Sequence, residues 1–287
     1  MSGPVWRGLR IAVSIAGSAL LLGWLWTRLD GAETLRLLSG ARPGPLLLAA
    51  ALVPVQVVLS AERWHRAAGA LSLSLPRAEA IREYALSILL NQVLPGGMAG
   101  DAIRVWRQRR PERLLGPSLR AAVAERGIGL GVHCAVTVAG LAAWSWVHPD
   151  IPRPPAALPI AVVAGALLAA VVASRDVRLA ALSRGVFGWN VGLSVLLTGS
   201  FLASFSLCGA ALGLPLGGAA FTVVPLVLLA MVVPVTVGGW GMREAVALAL
   251  LPAVGWSEEA AVAVASAYGL VNLAAALPGA LVPLVPR

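Results

Sequence analysis

Charge is scarce in this sequence. Acidic and basic residues make up 12% of its 287 positions and hydrophobic residues 59%, whereas a soluble domain carries about 25% charge and about 45–50% apolar residues. A water-soluble core of this size cannot bury so much apolar side chain, so lipid must solvate much of the chain. Cysteine is nearly missing as well. Cys134 and Cys208 both lie inside apolar runs, with no CxxC or Cys/His cluster nearby, which argues against a disulfide framework and a metal centre. The three histidines (His65, His133, His148) are scattered and form no ligand set. No GxxxxGK[ST] phosphate loop occurs, so no nucleotide-driven step is predicted, and no cofactor is expected.

The net charge is nevertheless +9, carried by arginine. In a soluble protein that balance would suggest nucleic acid. Here the arginines sit in short connectors between apolar runs, as they do where cytoplasmic loops set membrane topology, so membrane lipids and no nucleic acid are the expected partners. The same charges attract anionic headgroups. Several of the ten tryptophans (Trp24, Trp26, Trp64, Trp144, Trp146, Trp189, Trp256) mark the ends of these runs, as an aromatic belt does.

A spanning helix needs about 20 mostly apolar residues. Runs of this kind are predicted from Leu9 to Trp26, Pro45 to Trp64, Ser118 to Val147, Ala157 to Ala173, Phe187 to Leu212 and Glu259 to Val285. The first follows a positive N-terminus and resembles a signal sequence. It is long and ends in two tryptophans without a small-residue cleavage site, so it reads as an uncleaved span. Between the first two runs, GAETLRLLSG reads as a short interfacial helix. Two further regions, 78–112 and 219–252, are apolar but interrupted. Treating each as a hairpin that enters and leaves by one face puts every strongly basic connector on the side of the N-terminus. The prediction is an all-α, polytopic protein of an inner (plasma) membrane. It forms one domain over 1–287, with about six full spans plus two re-entrant hairpins in an inverted repeat, and both termini are cytoplasmic. HPDIPRPP and Glu258-Glu259 fall on the opposite side.

The two interruptions are LPGGMAGDAIR (Leu94 to Arg104) and VPVTVGGWGMREA (Val233 to Ala245). Each has a proline, a Gly-Gly pair (Gly96-Gly97 and Gly238-Gly239), another glycine (Gly100, Gly241), and then an acid and an arginine: Asp101 and Arg104, Arg243 and Glu244. Proline ends a helix, and glycine permits a turn and close backbone approach. The helix that restarts presents free N–H groups and a positive dipole end, which attract anions. An arginine one turn later adds a donor fork suited to phosphate. Asp101 and Arg104, three apart, share a helix face, and Asp101 also suits a helix cap. Arg243 and Glu244, being adjacent, diverge by about 100°. Pro-Gly breaks also occur as plain kinks in packed membrane helices; two of similar content in opposed hairpins favour a shared site.

Charge inside a span costs at least about 2.5–3.5 kcal/mol and normally faces a partner or a cavity. Glu125-Arg126 suits pairing with Arg104 or Asp101, or else an interfacial pair at a helix end. Asn91, just before the first break, suits a headgroup contact, a backbone cap or an inter-helix hydrogen bond. Tyr268 and Asn272 read as packing residues.

Asn91, LPGGMAGDAIR, Glu125-Arg126, VPVTVGGWGMREA and a closing Pro278-Gly279, in that order, resemble the lysylphosphatidylglycerol synthase transmembrane (flippase-like) family over nearly the whole chain. The resemblance implies re-entrant helices and movement of lipids or lipid-linked molecules between leaflets. The soluble aminoacyltransferase domain of two-part members is not expected here, and the synthase reaction is not carried over. By position, Asp101 and Arg104 match the charged end of the family's first motif, and Arg243 and Glu244 that of the second. The leading functional expectation is a flippase-like transporter of a phospholipid or lipid-linked anionic molecule. The candidate substrate contacts are Asn91, Gly96, Gly97, Gly100, Asp101, Arg104, Glu125, Arg126, Gly238, Gly239, Gly241, Arg243 and Glu244, with Arg104 and Arg243 holding the headgroup. The alternatives are an intramembrane enzyme or a scaffold acting in lipid or glycolipid modification; no catalytic dyad or metal-ligand set is evident, so enzyme activity is left open and leaning against.

Overall fold

The computed structural model describes residues 4–95, 99–108, 115–155, 157, 160, 163, 165–166, 184–232 and 236–284. These are helical nearly throughout. Among them there is no β-strand, only an isolated antiparallel bridge between Pro95 and Val237.

The first helix, α1, runs Pro4–Arg28 and is followed at once by α2, Gly31–Ser39. The two axes bend by 99°. Asp30 makes the corner: its Oδ1 accepts the N–H groups of Ala32 (2.9 Å) and Glu33 (3.3 Å), so a new helix starts where α1 stops. A short helix nearly perpendicular to its predecessor is the geometry expected of the interfacial segment. Three long apolar helices follow among the described residues: α3, Pro43–Ala70, α6, Leu115–Ala142, and α7, Arg184–Ala211. A fourth, α10, runs Glu258–Ala276. All four are long and apolar enough to cross a membrane, and α1 with α2 gives a fifth candidate. Most of the predicted run from Ala157 to Ala173 lies outside the described residues.

Two predicted spans are shorter as helices than their apolar runs. The run from Ser118 to Val147 ends as α6 at Ala142, with a separate turn at Trp144–Val147. The last run changes type: α10 stops at Ala276 and Leu277–Leu284 continues as a 3-10 helix. Pro278 supplies no N–H for the α pattern. At Gly279 an added Cβ would stand 2.5 Å from the carbonyl oxygen of Ala85. The proline-glycine pair thus sets the final turn against the backbone of the first hairpin.

Both interrupted regions form two helices across a break. The first is α4, Arg77–Val93, then α5, Ala99–Arg107. The second is α8, Val224–Ala230, preceded by the single turn Ala219–Thr222, then α9, Met242–Leu250. All seven residues of α8 are buried. Val224, Leu226, Val227 and Leu228 form the main core with Ala49, Phe205, Leu250 and Tyr268. A helix that breaks at membrane depth persists only where protein or a water-lined cavity surrounds the break, and the buried α8 leads into the second break through protein. The outer faces of the long helices expose Leu20, Leu47, Leu48, Leu196 and Leu270, the pattern of a surface solvated by acyl chains.

Candidate functional site

At the first break, α5 restarts beneath α4. Asn91 caps it: its Oδ1 accepts the N–H of Gly100 at 2.8 Å, and its Nδ2 donates to Asp101 Oδ2 at 3.1 Å. Asn91, and not Asp101, is therefore the cap. A Cβ on Gly100 would lie 2.1 Å from the carbonyl oxygen of Ser87, so only glycine lets the two helices approach this closely.

Asp101, in the first turn of α5, gathers three further donors. Ser87 Oγ lies at 3.3 Å, Arg104 Nε at 3.0 Å, and Arg126 Nη2 at 2.7 and 2.6 Å from its two oxygens. Arg104 also donates through Nη2 to Glu125 Oε2 at 2.9 Å. Glu125 accepts in addition from Tyr84 Oη (3.1 Å) and pairs with Arg63 Nη2 (2.8 Å), whose Nη2 also donates to the Glu125 carbonyl. The guanidinium of Arg104 lies 4.4 Å from the ring centres of both Trp64 and Tyr84, cation–π distances for each. Arg104 is 1% exposed and Glu125 0%. Arg126 differs, with 42% of its side chain exposed. Three guanidiniums and two carboxylates from α3, α5 and α6 thus form one network, tied to α4 through Ser87, Asn91 and Tyr84.

At the second break, α9 restarts at Gly241. The side chain of Glu244 reaches back to accept the Gly241 N–H at 2.8 Å, a capping arrangement that satisfies one of the free donors of the new helix. Arg243 donates to Glu244 Oε1 through Nε (3.1 Å) and Nη2 (2.5 Å). The predicted divergence of these neighbours is overcome because both side chains curl back over the same helix start. Arg243 lies 4.9 Å from the ring centre of Trp240 and 5.7 Å from that of Tyr268. It is 0% exposed, seated where a Cβ on Gly269 would be 2.1 Å from its Nη2.

The two breaks meet. Besides the Pro95–Val237 bridge, Gly238 has φ +56 and a Cβ there would stand 2.3 Å from the carbonyl oxygen of Gln92. An antiparallel contact of this kind is the sense produced by a local two-fold axis between two like segments. α1 pins the second break from the side: Ser18 Oγ donates to the Trp240 carbonyl (3.1 Å) and accepts the Val237 N–H (2.8 Å).

The structure therefore brings Asn91, Gly100, Asp101, Arg104, Glu125 and Arg126 together, and separately Gly241, Arg243 and Glu244, with Gly238 at the junction and Gly239 beside it in the turn. Gly96 and Gly97 lie outside the described residues. Glu125-Arg126 sits ten residues into α6 and pairs with both Arg104 and Asp101, so it is not a helix-end pair. Asn272 Nδ2 donates to the Tyr268 carbonyl at 2.8 Å, a packing role. Arg104 and Arg243 turn inward to carboxylates and rings; Arg126 is the arginine of these two groups that reaches the surface.

Sequence reasoning did not single out Arg63, Tyr84 or Ser18, and read Trp64 as the end of a span. A usable signal was present. The chain has two tyrosines, and each lies under the arginine of one break, Tyr84 under Arg104 and Tyr268 under Arg243.

Among curated proteins, none matches this chain. A family model described as the lysylphosphatidylglycerol synthase TM region matches residues 9–279, an interval that contains both breaks, the charge network and the closing Pro278-Gly279. The chain belongs to the lysylphosphatidylglycerol synthase TM region family, and is a multi-pass membrane protein tied to lipid modification or transport.

Proposed function

We propose that this chain is a flippase-like transporter that moves a phospholipid or lipid-linked anionic molecule between leaflets of the inner (plasma) membrane. The observation that carries the proposal is the meeting of two proline-glycine breaks, each holding a buried arginine over a Trp–Tyr pair, at one backbone contact inside the helix bundle. Broken helices facing one another across a local two-fold are a recurring way to build a translocation site. Buried ionisable groups at membrane depth are costly, and mark substrate paths more often than scaffolding. Movement is downhill or coupled to an ion gradient or to lipid synthesis. Both termini are placed in the cytoplasm.

The test is a leaflet-resolved assay in liposomes carrying the purified chain and a headgroup-labelled phospholipid. Faster loss of the protected inner-leaflet signal than in protein-free liposomes, with no new lipid product, is the expected result. New product without exchange would move the assignment to an enzyme, and neither would move it to a scaffold. Cysteines introduced singly into 148–155 and 253–258 are expected to label from outside; labelling from the cytoplasm would overturn the orientation.

A further inference from the structure

The first helix is held to the bundle unevenly. Of its residues 12–28, only Ser14, Ser18 and Leu25 are buried. Their spacing of four and then seven places them on one helix face, with Leu21 between them. The other faces expose Val13, Ile15, Leu20, Trp24 and Trp26. Among the described residues, the helix that α1 packs against most closely is α9, which restarts after the second break. The inner face meets the turn before α9 at two points. Ser18 Oγ accepts the Val237 N–H at 2.8 Å and donates to the Trp240 carbonyl at 3.1 Å, so the hydroxyl spends its donor and an acceptor on backbone groups of the turn. Gly241, with φ +89, lies against Leu21, where a Cβ would stand 2.7 Å from Leu21 Cβ.

The other end of α1 is anchored. Asp30 closes the corner into α2, a bend of 99°. α2 packs along α10, with Leu38 against the main core. Leu29 and Asp30 lie outside both helices, the kind of element-terminal position that absorbs a change of backbone angles. A helix fixed at such a corner, and held beyond it by one narrow face, has one easy motion: a swing about residues 29–30 that carries Ser18 and Leu21 off the turn.

We infer that α1 is a hinged strap over the second break: Ser18 latches it closed, and its release opens a lateral way from the acyl chains to the meeting point of the two breaks. The strap rests on the transport reading for its purpose and on the latch geometry for its evidence. Release bares the Val237 N–H and the Trp240 carbonyl. Bare backbone groups are not tolerated against hydrocarbon, so the strap is closed at rest and swings only when water or another hydroxyl takes the place of Ser18. That condition ties opening to the arrival of a polar group and keeps the break shut to acyl chains alone.

Two measurements on the full chain in phospholipid bilayers test it. In the first, nitroxides are placed at Val13→Cys on α1 and Leu270→Cys on α10, both exposed, with Cys134 and Cys208 replaced by alanine. Double electron–electron resonance is expected to give one dominant distance when Ser18 is present. In Ser18→Ala a second, displaced component is expected, its population raised about tenfold, the scale of one lost hydrogen bond. Identical distributions overturn the strap. The second measurement closes the latch instead of removing it, and decides alone if Ser18→Ala does not fold. Ser18→Cys with Val237→Cys is oxidised in the liposome, and the linked peptides are identified by mass. Linkage is expected to stop leaflet exchange, which returns on reduction. Exchange that continues in the linked protein overturns the strap and leaves the transport reading standing. No exchange in any variant, with distances that respond to Ser18→Ala, sinks the transport reading and leaves the strap standing; the distances decide alone if the disulfide does not form.

Discussion

At the first break three guanidiniums and two carboxylates, drawn from α3, α5 and α6, tie those helices to α4, and Arg126 reaches the surface. At the second break one arginine and the glutamate next to it in sequence close on each other, with Glu244 also capping its own helix. The local plan is shared: a proline and glycines in the sequence of the break, a restarted helix, and an arginine over one tryptophan and one tyrosine. The difference lies in where the counter-charge comes from. An adjacent carboxylate makes the second break self-sufficient. The first depends on α6 for Glu125 and on α3 for Arg63, so its integrity reports on the packing of the bundle.

The sharpest way to break this comparison is to remove Glu125. Glu125→Ala leaves Arg63 and Arg104 short of a carboxylate, and is expected to cost about 3–5 kcal/mol, the scale for breaking a buried ion pair by deleting one partner. Thermal unfolding in detergent measures it. Glu244→Ala breaks one ion pair rather than two, so its loss is expected to be smaller; an equal or larger loss would remove the distinction between an interlocked and a self-contained break. Replacing the second pair together, Arg243→Met with Glu244→Gln, is expected to cost less than the sum of the single changes, because neither partner is left charged and alone.

Gly100→Ala forces α5 from the carbonyl of Ser87 and is expected to destabilise by about 1–3 kcal/mol, as overpacking does. An unchanged melting temperature would show that α4 and α5 approach less closely than described. Ser18→Ala removes a hydroxyl that bridges the Val237 N–H and the Trp240 carbonyl, and is expected to cost about 1 kcal/mol, seen as faster hydrogen exchange at Val237. The smallest effect on stability belongs to Arg126→Gln. Its side chain is 42% exposed, so solvent screening holds the loss below about 1 kcal/mol; a loss comparable to that of Glu125→Ala would show that Arg126 holds the network together as firmly as the buried groups do.

Much of the fold was legible because membrane composition is a strong constraint. Apolar length predicted α3, α6, α7 and α10 to within a few residues at most ends, and the two proline-glycine interruptions located both breaks. Errors arose where apolar runs outlast helices. Trp144 and Leu277 continue the hydropathy of α6 and α10, while the backbone changes type beneath them. Within the site, the spacing of Asp101 and Arg104 correctly placed them together. Arg63 was illegible because it sits in the string Glu62-Arg63-Trp64-His65-Arg66, where a charged span end and a buried ligand of Glu125 look alike. Its neighbours Glu62 and Arg66 pair at 2.7 Å on the more open side. Its own direction depends on Gly129 of α6, where a Cβ would stand 2.4 Å from Arg63 Nη2.

The sequence by itself determined the solvent of this protein, its helical class and the two places where helices break, because each follows from local chemistry: apolar length, a missing proline donor and the freedom of glycine. Tertiary structure alone decided that the breaks touch at Pro95 and Val237, that Glu125 rather than a ligand sits against Arg104, and that Arg126 is left facing outward. Those outcomes depend on which helix faces lie within about 3 Å of one another, the reach of a hydrogen bond, and residues as far apart as Ser18 and Val237 carry no such information in their spacing.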